Sequence, residues 1–134
     1  MAQTVTISPK ETERVAALAY EGETMKVMLC SVGLTGYTAS STVANWQSVE
    51  KSGNGYVRAS LVVGTGSYDT GDGRYEMPTL TAEFTATGAG YDYDRVVAYV
   101  DGATYPYLIV AEDPNLVLSA GQYQTYTIDP NVKP

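Results

Sequence analysis

The stretch "SYDTGDGRYE" (Ser67–Glu76) gathers the residues with the most obvious capacity for chemistry. Asp69-Thr70-Gly71 is the triplet that surrounds the catalytic carboxylate of aspartic proteases, where two carboxylates share one proton. That chemistry needs the aspartate at the end of an apolar strand, deep in a dimer cleft. Here "GTGSY" precedes the triplet and Asp72, Gly73 and Arg74 follow it, a polar, glycine-rich context with no later apolar-Gly-Arg signature. Calcium is the second candidate. Asp69, Asp72 and Glu76 offer carboxylates, but the ion wants roughly five or six oxygens and the spacing is not that of an EF-hand loop. Asp92 and Asp94, and Glu112 and Asp113, read in the same way, as loop carboxylates or turn residues bonding their own backbone. Gly64, Gly66, Gly71 and Gly73 match neither dinucleotide-binding nor phosphate-loop spacing. The expectation is therefore a turn-rich connection between two strands, with a weak calcium site at Asp69, Asp72 and Glu76 as the alternative. No catalytic, cofactor-binding or metal site is assigned.

The rest of the composition narrows the function classes. The chain has no histidine, which removes the commonest general base, the usual zinc ligand and every Ser-His or Cys-His nucleophile. Its one cysteine, Cys30, precludes an internal disulfide framework. It lies in the apolar run "MKVMLCSV", where a buried small side chain is expected rather than a reactive thiol. Eight basic and fifteen acidic residues give a net charge of −7. The basic residues (Lys10, Arg14, Lys26, Lys51 and Arg58 among them) are scattered, so nucleic acid is not an expected partner. No apolar run approaches the roughly 20 residues of a membrane helix, so no membrane partner is expected either. The N-terminus lacks a basic region followed by an apolar stretch. The chain is thus expected to be made and folded in a cytoplasm.

These residues must be positioned by strands. "QTVTIS" alternates Val5 and Ile7 with threonines, and Ser8, Pro9, Glu11 and Glu13 mark a helix start over residues 9 to 19, with a strand at "RVAALAY" as the alternative. "MKVMLCSV" (25–32) reads as a buried strand, and "YVRASLVVG" (56–64) as the next. In "MPTLTAEFTATG", Leu80, Ala82, Phe84 and Ala86 alternate with Thr79, Thr81, Glu83 and Thr85, a half-buried strand. "YDRVVAYVDG" and "YPYLIVAED" predict a hairpin around "DGAT". "NLVLSAGQYQTYTIDP" supplies two last strands broken at Gly121. Short strands at this rhythm predict a mainly β protein: one antiparallel β-sandwich over residues 1–134, jelly-roll-like or immunoglobulin-like. At most one short N-terminal helix joins it, with residues 1–24 an arm and 130–134 a loose tail. A domain of this size buries roughly two-thirds of its unfolded surface, enough for a core without staples.

Two features speak for contacts. Twelve tyrosines stand against one Phe and one Trp, and a tyrosine offers an apolar face with a polar tip. Tyr91, Tyr93, Tyr105 and Tyr107, around the penultimate hairpin, are candidates for an inter-subunit surface, with Tyr68 and Tyr75 flanking the "DTGDG" tip. The competing reading is ordinary strand tyrosines at wet edges. The second feature is "GLTGYTASSTVANWQSVEKSGNGY", a long irregular connection carrying the only Trp. Trp46 is core if buried under this loop, and a stacking platform if exposed beside tyrosines.

Two stretches then resemble a known group. "NWQSVEKSGNGYVRASLVV" is similar to a segment of small virion structural proteins of tailed bacteriophages, carried here by Trp46, Val49, Gly53, Gly55, Tyr56 and Arg58. "RVVAYVDGATYPYLIVAEDPNLVLSAGQYQTYTID" resembles their C-terminal half: a hairpin without internal charge, an Ala-Glu pair, then an Ala-Gly-Gln turn into a Thr-rich strand. "MKVMLCSVGLTGYT" fits their first core strand. The resemblance spans residues 25 to 129 and departs at "GTGSYDTGDGRYEMP" and "SPKETERVAAL". It implies a non-enzymatic virion β-domain, most directly a capsid decoration (cement) protein stabilising the head, with tail, neck or fibre structure as the alternative. It also implies a homo-oligomer partnered by a larger phage structural protein such as the major capsid protein. The residues alone keep open a carbohydrate- or host-surface-binding module, and an enzyme with a close carboxylate pair.

Overall fold

The computed structural model describes residues 20–33, 37–38, 40–71 and 74–130. Along the chain these form β1 (Thr24–Cys30), helix α1 (Val43–Gln47), β2 (Ala59–Val62), β3 (Ser67–Asp69), β4 (Arg74–Glu76), β5 (Leu80–Thr85), β6 (Tyr91–Val100), β7 (Leu108–Leu118) and β8 (Tyr123–Ile128). The chain is mainly β, and its strand pairs are antiparallel. The expected strand "QTVTIS", the helix over 9–19, Asp72 and tail residues 131–134 lie outside the described residues. The ends that are described belong to the body. Gly22 N–H donates to Val63 O and Val63 N–H to Glu23 O, each at 2.9 Å, and Pro130 is fully buried.

The central sheet runs β2-β1-β6-β7. β1 and β6 sit in its middle because they are apolar on both faces, as a strand covered on both sides must be. Met25, Val27 and Leu29 point to one face, opposite Val100, Ala98 and Val96. Met28 and Val97 form a pair on the other. The β5–β8 pair contributes to the first face. Its period-two pattern sends Ala82 and Phe84 inward and Thr81, Glu83 and Thr85 outward. Phe84, Ala86 and Ile128 share one core with Met25, Val27, Leu29, Tyr93 and Val96.

A β-bulge keeps β6 in phase with that core. Strict alternation would send Tyr91, Tyr93, Arg95 and Val97 to one face. Instead Tyr93 pairs with Leu116 and Arg95 with Ala111, so four β7 residues (112–115) stand opposite the single residue Asp94. The shift moves Val96 and Ala98 onto the face of Tyr91 and Tyr93 and turns Arg95 away. The segments "YPYLIVAED" and "NLVL", expected as separate strands, are thereby one strand, β7.

The long connection is less irregular than its composition suggests. It contains α1, capped by Thr42, whose hydroxyl accepts from Asn45 N–H at 3.2 Å. A five-residue helix cannot hold itself in water. It persists because Val43 and Trp46, three apart, bury against Met28, Cys30, Val97 and Tyr99 on the second face of the sheet. Trp46 is 0% exposed, and its Nε1 has no hydrogen-bond partner. Packing on Tyr37, at 5.1 Å between ring centroids, offsets that cost. β2 is shorter than the expected 56–64 because Tyr56 leaves the ladder and turns its ring inward, parallel to Phe84 at 6.1 Å. Phe84→Ala should therefore cost about 3–5 kcal/mol of stability, measured by denaturant unfolding, because its ring is shared by Tyr56 and Tyr126.

Candidate functional site

Among the described residues, several groups that could do chemistry are bonded to one another. The opening stretch is a hairpin, with Ser67 opposite Glu76, Tyr68 opposite Tyr75 and Asp69 opposite Arg74. Gly71 N–H donates to Asp69 Oδ1 at 2.8 Å, an Asx turn on an exposed residue. Tyr75 is buried and donates to Glu21 Oε1 at 2.6 Å, and Gly66 N–H reaches the same oxygen at 2.7 Å. Gly66 must be glycine for this approach, since a Cβ there would lie 2.5 Å from Glu76 O. Of the carboxylates proposed for calcium, Asp69 caps its own turn and Asp72 lies outside the described residues. Among the described residues no group of three His, Cys, Asp or Glu side chains is placed to hold a metal ion.

A second knot ties the long connection to the sheet. Beyond the end of β2, the β1 edge is continued by residues 49–51, where Ser31 N–H donates to Val49 O and Lys51 N–H to Leu29 O. Glu50, which bridges to Cys30, accepts a two-pronged bond from Arg58 through Nε and Nη2, the arrangement that planar guanidinium and carboxylate favour. Tyr56 donates to Glu50 Oε2 at 2.6 Å and accepts from Leu29 N–H at 3.1 Å. Arg58 Nη1 and Gln47 Nε2 both donate to Tyr99 Oη, at 3.0 and 3.3 Å. The Glu50 hydrogen bond holds Arg58 more firmly protonated than usual. Burial first, then Glu50 and Asp94, push the neighbouring Cys30 thiol up to about 12, so it is no nucleophile at neutral pH.

A third knot crosses the core. Tyr126 donates to Glu112 Oε1 at 2.7 Å, so the 2.7 Å contact between Tyr93 and Tyr126 must be donated by Tyr93. Tyr91 donates to Thr85 O, and Tyr107 to Asp129 O, each at 2.7 Å. At the bulge, Asp94 Oδ1 accepts from Val32 N–H at 3.0 Å and Oδ2 from Gly33 N–H at 2.6 Å, with Arg95 Nη1 at 3.9 Å.

The tyrosines proposed for an interface are thus divided. Tyr91, Tyr93 and Tyr75 are buried in the chain's own core and present no ring to a partner. Tyr68 and Tyr107 are half-buried against that core. Only Tyr105 stands out, at 57% exposed. It projects from the β6–β7 turn beside an open groove of about 480 Å³ lined by Tyr20, Val100, Ala103, Pro106 and Tyr107. Tyr20 packs edge-on against Tyr107 at 5.7 Å. No local pattern places Tyr20 there, since it lies about 85 residues from its neighbours in the groove. Tyr123, 65% exposed, and Val117, 62%, are further exposed positions outside the expected set. Both follow from parity: they alternate with buried or half-buried residues on β8 and β7.

Burial is the first cause raising the phenol pKa at Tyr56, Tyr91, Tyr93, Tyr107 and Tyr126. Tyr93 is pushed from 10.0 up to about 12. A group whose folded value lies above its unfolded value stabilises the fold below the unfolded value and loses that contribution as pH rises through the folded one. Unfolding free energy should accordingly fall between pH 10 and 12. Absorbance titration should show these phenols ionising only as the fold is lost.

No protein-family model, curated protein or solved structure matches this chain.

Proposed function

We propose that this chain is a non-enzymatic structural protein of a tailed-phage virion, a capsid decoration protein that binds by surface contact. One observation carries the reading. Among the described residues three part-buried phenol–glutamate pairs spend hydroxyls and carboxylates on each other inside the domain, while apolar and aromatic groups are left outside: Tyr105, Tyr123, Val57, Val62 and Val117. That is the surface of a binding domain, where aromatic residues supply contact area at little entropic cost. The resemblance of residues 25 to 129 to small virion proteins points the same way.

In this reading the four-stranded sheet and the β5–β8 pair act as the two layers of a small sandwich, and the Tyr105 groove is the contact face. Strand addition at the β7 edge is disfavoured. The 112–115 excursion places Glu112, Pro114 and Asn115 along it, and Pro114 cannot donate to a ladder. Trp46 offers nothing to a sugar-binding alternative, because its ring is enclosed under α1.

Tyr105→Ala tests the proposal without disturbing the fold, whereas Tyr107→Ala would also remove the bond to Asp129 and the packing on Tyr20. The variant should keep its circular dichroism and thermal midpoint. It should occupy purified heads about tenfold less than the parent, the loss given by a contact worth a little over 1 kcal/mol. Full occupancy of the heads by the variant, or electron microscopy locating the parent chain elsewhere than on the capsid, would defeat the decoration reading.

A further inference from the structure

Residues 53–56 make a tight turn closed by Tyr56 N–H donating to Gly53 O at 3.0 Å. Within it Asn54 has a φ of +53°, the only positive value at a non-glycine among the described residues. The turn docks on the connection between β5 and β6 through two bonds. Thr87 N–H donates to Asn54 O at 2.8 Å, and Asn54 Nδ2 donates to Gly90 O at 2.7 Å. Gly55 lies hard against Thr87. Its φ is +83°, and a Cβ there would sit 2.8 Å from Thr87 Oγ1. The docking therefore demands glycine at 55. It also leaves an unhindered backbone amide immediately after an asparagine.

That juxtaposition has a chemistry of its own. We propose that Asn54 is a self-modification site gated by the fold, protected while the 53–55 turn is docked on Gly90 and Thr87 and reactive once it lifts. In the lifted turn the Gly55 backbone nitrogen attacks Asn54 Cγ and gives up its proton. The bond from Cγ to Nδ2 breaks, and the side-chain nitrogen leaves as ammonia carrying that proton. The resulting five-membered imide is opened by one water at either carbonyl, giving aspartate or isoaspartate at 54. Water is the only reactant consumed and ammonia the only group lost.

The docked state opposes each step. Asn54 Nδ2, the leaving nitrogen, is committed to Gly90 O, and Asn54 O is held by Thr87 N–H, so the backbone cannot swing Gly55 onto Cγ without breaking both bonds. The products cannot restore the docking. A carboxylate at 54 has no N–H for Gly90 O and faces its carbonyl oxygen instead. Isoaspartate further lengthens the main chain inside the turn. The next residue is Tyr56, which stacks on Phe84 and ties Glu50 to β1, so the lesion propagates into the core.

The test uses the full chain, kept at mildly alkaline pH either folded or unfolded in guanidinium. Isoaspartate at 54 is followed by peptide mass mapping and by isoaspartyl methylation. The unfolded chain should convert at least about tenfold faster, the factor set by one net hydrogen bond on the leaving amide. Converted folded protein, separated from its parent by anion exchange, should show the lower thermal midpoint. Equal or slower conversion in the unfolded chain, or a converted protein with the parent's midpoint, overturns the proposal.

Discussion

A phenol taken into a core must give its proton to an acceptor, or the fold loses roughly 1–3 kcal/mol at that site. This chain takes in many phenols, and the demand organises the rest of it. Glutamates from three separate segments answer: Glu21 before β1, Glu50 in the long connection and Glu112 on β7 receive Tyr75, Tyr56 and Tyr126. Each pair joins segments that backbone ladders leave apart. Tyr75 anchors the β3–β4 hairpin to the start of the body. Tyr56 closes the edge of β1 where β2 stops, and Tyr126 links β8 to β7 across the core. The tyrosines replace the phenylalanines that a larger, drier core would use, and they fasten its seams as well as fill it.

The bulge opposite Asp94 serves the same economy of a small core. By displacing the register it puts Val96 and Ala98 in line with Tyr91 and Tyr93, so that one face of β6 is apolar along its whole length. The residue at the displacement is a carboxylate, and its two oxygens hold the backbone of Val32 and Gly33. The chain's path out of β1 is thus set by a side chain from the neighbouring strand. The second face of the sheet, which the β5–β8 pair does not reach, is closed by Trp46 on a helix too short to exist alone.

Outward, the described residues leave Tyr105, Tyr123, Val57, Val62 and Val117 exposed. Three of the described carboxylates singled out in the sequence are engaged. Asp69 binds its own turn, Glu112 a phenol, and Asp92 both Lys51 and Asn115. At the β6–β7 tip Tyr105 and Pro106 line a shallow groove.

The sequence by itself determined the β class, the strands β1, β5 and β6, the hairpin turn at "DGAT" and the turn at Thr70-Gly71. These rest on period-two patterns and on Gly, Asp and Asn at turns, which are local properties. The absence of histidine and the single cysteine are likewise plain in the sequence, since composition needs no fold. The fate of the tyrosines was not legible. Tyr93 and Tyr105 have the same side chain and lie on the same hairpin, yet one is 0% and the other 57% exposed. That difference depends on the bulge register and on which glutamates arrive from distant segments. The helix around Trp46 was hidden because its stability comes from the sheet it covers, and only Thr42 with Val43 and Trp46 hinted at it. Tertiary structure alone decided which polar groups satisfy one another, because those partners lie up to 62 residues apart and meet only when the sheets close.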